Sequence, residues 1–106
     1  MRLAKEIFRV TDEFPKSELY GLVAQMRRAA VSTPSNIAEG YGRKSIKEYS
    51  HFYSIAYGSA LELETQLILS KNLGFIGKKI FINVNGLLVE VLKMLNSMSK
   101  KLSTRR

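Results

Sequence analysis

The chain has 106 residues, 45% apolar and 25% charged, a balance typical of a globular domain and not of a disordered segment, and its length suits one core, so a single domain over 1–106 is expected. No cysteine is present to form a disulfide, Lys5 and Glu6 interrupt the apolar start, and no apolar run nears the ~18 residues of a membrane span; a cytoplasmic protein without membrane association is expected. Seventeen Lys and Arg against nine Asp and Glu give a net charge of +8 and a pI near 9.9, which attracts polyanions.

The first helix is marked by Leu3, Ile7, Val10 and Phe14 and ends at Pro15. The next segment, RAAVSTPSNIAEGYGRKS, has the composition of a Gly-rich phosphate loop. Its spacing says otherwise. Leu19, Leu22, Val23, Met26, Ala30, Thr33, Ile37, Gly40 and Tyr41 recur every three or four residues through Pro34. The reading is one helix from Ser17 to Gly42, kinked at Pro34, whose ring removes a hydrogen bond and crowds the Ala30 carbonyl. A P-loop also needs glycine immediately before Lys44 and again five residues earlier; Arg43 and Ala38 stand there.

Ser45 and Glu48 form an S-x-x-E capping box that opens a third helix. Its apolar face is Tyr49, Phe52, Tyr53, Ala56, Ala60, Leu63 and Leu67, and Gly74 with Phe75 and Ile76 reads as its stop. In the last segment Asn85-Gly86 between β-branched runs is a hairpin signal. Ile80, Val84, Leu87, Leu88, Val91, Leu95, Met98 and Leu102 nevertheless keep helical phase for longer than a hairpin strand needs, so a helix is expected, at about 1 kcal/mol for its interior glycine. Four helices on short links give an all-α, up-and-down four-helix bundle.

Two arcs of small or apolar residues lie off the main stripes: Tyr20, Ala24, Val31 and Ala38 on the second helix, Ser54 and Gly58 on the third. They allow close approach of another copy, and the competing reading is tolerant surface. Polar residues Arg28, Asn36 and Glu39 are candidates for a network that locks the helices, with Arg27 or Arg28 as the expected partner of Glu64 if that carboxylate is buried.

Chemistry is not evident. His51 is the only histidine, no serine sits in a G-x-S-x-G or S-x-x-K setting, and no spacing supports a metal site, so no enzyme, no catalytic residue, no metal and no cofactor are expected. Basic residues cluster at Arg27-Arg28, at Arg43-Lys44-Lys47, at Lys78-Lys79 and in the tail with Lys100, Lys101, Arg105 and Arg106. An up-and-down path places some of these at opposite ends. Without a base-reading motif, such patches suit sequence-nonspecific binding of RNA or DNA through phosphates.

The pieces ELYGL (Glu18 to Leu22), QMRRAA (Gln25 to Ala30), STPSNIAEG (Ser32 to Gly40) and GSALELETQ (Gly58 to Gln66) carry a resemblance. Over Phe14 to Ile76 the chain resembles the bacterial four-helix-bundle proteins encoded by intervening sequences in 23S ribosomal RNA genes. The accessory variability proteins of diversity-generating retroelements look like relatives. The resemblance implies a homopentamer without enzymatic activity, with Arg27, Arg28, Asn36, Glu39 and Gly40 as hallmark residues. In the retroelement members it implies a basic surface for nucleic acid and a reverse transcriptase partner. The expected function is thus a non-catalytic, oligomeric nucleic-acid-binding scaffold or accessory protein; the alternative is a protein-interaction module without direct nucleic-acid binding.

Overall fold

Apolar residues at helical spacing condense into four helices: α1 (Arg2–Thr11), α2 (Ala24–Tyr41), α3 (Ile46–Asn72) and α4 (Lys78–Arg105). The computed structural model describes residues 1–105, with side chains described for 1–102. The core forms where the stripes meet. Ile7, Met26, Ala30, Ala56, Ala60, Leu63, Leu67, Leu88 and Leu95 are almost wholly excluded from solvent. The path is up and down: α2 packs on α3, α3 on α4, and α1 lies between α2 and α4, which sit across the diagonal.

The helix expected from Ser17 to Gly42 is corrected at its start. Lys16–Glu18 is a 3-10 turn and Leu19–Val23 a π-type turn, so regular α-helix begins at Ala24. The break is at Gly21, with φ −108° and ψ −106°, a combination that the lack of Cβ makes accessible. Apolar spacing of three and four persists through such turns, which is why the sequence pattern did not reveal them. Pro34 sits inside α2, and the helix continues to Tyr41.

The other boundaries follow their local chemistry. Ser45 Oγ accepts the Glu48 amide at 3.1 Å, capping α3. At the far end Gly74 takes φ +79°, its amide reaches Lys71 O at 3.0 Å and the Phe75 amide reaches Ser70 O at 2.9 Å, the two bonds of a Schellman stop. Phe75 then packs on Phe14, ring centroids 5.4 Å apart, tying this turn to the end of α1. Asn85 and Gly86 lie within α4, with no hairpin. Lys78–Leu102 is long and apolar enough (mean hydropathy 1.2) to cross a bilayer; 17% of its apolar window is buried, and Val84, Leu88, Leu95 and Leu102 are the α4 residues in the core.

Two glycines at helical positions have opposite surroundings. A Cβ on Gly40 would lie 3.0 Å from Phe52 Cβ and 3.3 Å from Tyr49 O, both fixed to α3, whereas a Cβ on Gly86 meets nothing within 4 Å. The same substitution should therefore change stability in opposite directions. Gly86→Ala should gain about 0.5–1 kcal/mol from helix propensity. Gly40→Ala gains the same propensity but adds overpacking of about 1–3 kcal/mol, for a net loss near 1 kcal/mol. Urea unfolding of both variants measures the two signs.

Candidate nucleic-acid interface

Because α2 and α4 run in the same direction, their C-terminal ends meet at one end of the bundle, where α3 begins. This brings together basic residues far apart in sequence. Arg43, Lys44 and Lys101 line one cleft of about 400 Å³ with Ser45, Tyr49 and Met98. Lys47 and Lys100 are exposed on the same helix ends. The N-terminus of α3 adds its partial positive charge to the same end.

Arg43 is held in place. Its guanidinium donates to Glu39 at 2.9 Å and lies 4.8 Å from the Phe52 ring centroid. Lys44 and Lys47 are exposed beside it. Beneath them Tyr49 and Tyr53 join hydroxyl to hydroxyl at 3.1 Å. Tyr53 is buried, and burial first, then the hydrogen bond to Tyr49, pushes its phenol up to about 12.

The other sequence candidates fall elsewhere. Lys78 and Lys79 open α4 at the opposite end of the bundle and are exposed. Arg27 is a clamp between α1 and α2: its Nε donates to Thr11 Oγ1 at 3.0 Å, its terminal nitrogen to Phe8 O at 3.3 Å, and its guanidinium covers the Phe8 ring at 4.8 Å. Arg28 reaches Gln25 and, at 3.5 Å, Glu62. Glu64 is only half-buried, so the condition for an arginine partner is not met, and among the described residues Arg28 pairs with Glu62. Arg105 and Arg106 lie outside the residues with described side chains.

The polar network is smaller than the sequence suggested and includes a residue it missed. Asn36 donates to Ser32 O at 2.8 Å and Ser32 Oγ at 3.0 Å, and Ser32 Oγ meets Ser59 Oγ at 2.9 Å across the α2–α3 contact. Arg28 and Glu39 stand outside this chain of bonds. Ser59 carried no distinguishing signal; only its facing Ser32 across the helix pair reveals it.

Of the arc residues, Tyr20 is 93% exposed, Ala24, Val31, Ala38, Ser54 and Gly58 are also exposed, and a Cβ on Gly58 would meet nothing within 4 Å. Among the described residues no three His, Asp or Glu gather in a metal-binding group. His51 is exposed and packs edge-on against Phe52, centroids 5.5 Å apart.

Comparison with known proteins adds a family and a fold. The family model described as 23S rRNA-intervening sequence protein matches residues 1–97. A crystal structure of a protein of unknown function from the S23 ribosomal protein family of Bacteroides thetaiotaomicron superposes with TM-score 0.80 at 22% identity, over 93% of this chain and 89% of that one. No curated protein matches the chain.

The raised Tyr53 pKa makes stability pH-dependent in a defined window. The unfolded phenol ionises near 10 and the folded one near 12, so the unfolded state loses its proton first. The contribution is complete below about pH 10 and is lost as pH rises toward 12. Denaturant unfolding across that interval should show the decline, and Tyr53→Phe should flatten it.

Proposed function

Since the chain belongs to the 23S rRNA-intervening sequence protein family, we propose that it is a non-catalytic scaffold that holds RNA, or DNA, by its phosphates at the end of the bundle where α2, α3 and α4 meet. The observation that carries this reading is the convergence of Arg43, Lys44 and Lys101 on one cleft, flanked by Lys47 and Lys100. Each phosphate engaged there displaces condensed counterions, so binding is strong at low salt and indifferent to sequence. Arg27 and Arg28 are spent on protein contacts and contribute little.

Self-association belongs to the same proposal. Tyr20, Ala24, Val31, Ala38, Ser54 and Gly58 are exposed, largely small and apolar positions that a second copy can cover. A closed ring, a pentamer by resemblance, multiplies the +8 of each chain and strengthens the attraction for a polyanion.

Filter binding of single-stranded RNA and duplex DNA across a salt series tests the first part. The logarithmic salt slope should be negative by about 0.7–0.9 per contact, and Lys44→Glu/Lys47→Glu/Lys101→Glu should reduce it by about 2–3. Lys78→Glu/Lys79→Glu, at the other end, should change it little. Absence of binding at low salt, or affinity flat with salt, overturns the reading. Light scattering measures the second part: the wild-type chain should run as an oligomer, and Gly58→Arg, at a position with open space around it, should dissociate it while leaving helicity unchanged.

A further inference from the structure

Phosphate binding accounts for the lysines at the end of the bundle but not for the way Arg43 is held. A guanidinium that grips phosphate needs its donors turned to the ligand. Arg43 is instead engaged on two sides: a terminal nitrogen donates to Glu39 at 2.9 Å, and the central carbon of its guanidinium lies 4.8 Å over the Phe52 ring. Glu39 sits in the last turn of α2 and Phe52 in the second turn of α3. The fold fixes the ring, because Phe52 lies on the side of α3 that approaches α2, its Cβ 3.0 Å from the place a Cβ on Gly40 would take. Arg43, three residues beyond Gly40, then closes over it.

Held in this way, the Arg43 side chain is still 43% exposed. Guanidinium N–H bonds lie in the plane of the group, so Glu39 occupies an edge and Phe52 one face, which leaves the opposite face for a ligand. Glu39 meets the charge, and a guanidinium is planar and weakly hydrated, so a flat surface is presented more than a point of positive charge. Exposed around it are Lys44, next in the chain, Lys47 and, one turn further along α3, His51, whose ring meets Phe52 edge-on at 5.5 Å. This flank between α2 and α3 lies away from α1, which packs between α2 and α4.

Resting on the phosphate binding proposed above, we infer that this end of the bundle selects single strands: an unpaired base stacks on the open face of the Arg43 guanidinium, with Phe52 behind it, while the flanking phosphates lie against Lys44 and Lys47. Such a layer is indifferent to sequence, because every base has a π face. It discriminates structure instead. In a duplex each base is covered by its neighbours above and below, so only phosphates and groove edges reach the protein, and Arg43, its charge already met by Glu39, adds little there. A single strand gives up less stacking and no pairing to turn one base outward. Glu39 is a positioning residue: it holds the guanidinium flat and lowers its pull on phosphate, and both effects favour the unpaired base.

Three labelled ligands test this by fluorescence anisotropy on the full-length protein at low salt: a single-stranded oligodeoxynucleotide, the same backbone with abasic residues throughout, and a duplex of that length. The abasic strand has every phosphate and no base. Wild-type protein should bind the base-bearing strand about five- to tenfold more tightly than the abasic one, the size of one stacked base. Arg43→Lys, which keeps the charge and loses the plane, should bring that ratio near one while changing abasic-strand and duplex affinity by less than about twofold. Glu39→Gln, which releases the guanidinium to phosphate, should raise affinity for the abasic strand and the duplex and narrow the ratio; a purely structural role for Glu39 would not move the ratio. Circular dichroism checks that both variants keep wild-type helicity. A ratio near one in the wild type, a ratio unchanged by Arg43→Lys, or an equal loss on duplex and single strand overturns the inference and leaves phosphate binding standing. Failure of all three ligands to bind overturns both.

Discussion

The bundle depends on how closely α2 can approach α3. At Gly40 the two backbones come so near that a single added carbon would sit 3.0 Å from Phe52 Cβ. Small residues make the approach, and Ser32 and Ser59 then use it, meeting at 2.9 Å with Asn36 bonded behind them. A hydroxyl pair of that length requires the helix axes to be close, and once made it resists sliding of one helix along the other. Met26, Ala29 and Ala30 on one side and Ala56, Ala60 and Leu63 on the other are buried in consequence.

That close pair fixes where the ends fall. Tight packing of α2 on α3 leaves the short turn after Tyr41 to carry Arg43 and Lys44 to the start of α3, and α4, packed on α3 in the opposite sense, returns Lys101 to the same place. The basic cleft is therefore a product of topology. Like charges gathered at one end destabilise the fold slightly by repulsion, and Glu39 and the Phe52 ring offset this for Arg43.

α1 has a different place in the energetics. It is short, held by Leu3, Ile7 and Val10 in the core and by the Arg27 clamp at its end, and its connection to α2 passes through 3-10 and π-type turns around Gly21. Those turns let Phe14 reach Phe75 while regular helix resumes at Ala24.

Much of the fold was legible because helical periodicity is a local property. The spacing from Tyr49 to Leu67, the Ser45 cap and the Gly74 stop each act within a few residues, and sustained phase across Asn85-Gly86 outweighed a two-residue turn signal. The turns at Lys16 to Val23 were not legible, since 3-10 and π-type turns keep apolar side chains nearly in step with an α-helix. The sequence by itself determined helix, bundle and excess positive charge, because propensity, amphipathic period and composition need no knowledge of neighbours. Only the tertiary structure decided that Arg28 pairs with Glu62 rather than Glu64, that Arg27 is a clamp, that Ser59 faces Ser32, and that Lys101 joins Arg43 and Lys44. Those are distances between residues remote along the chain, set by which faces of packed helices meet and at what height.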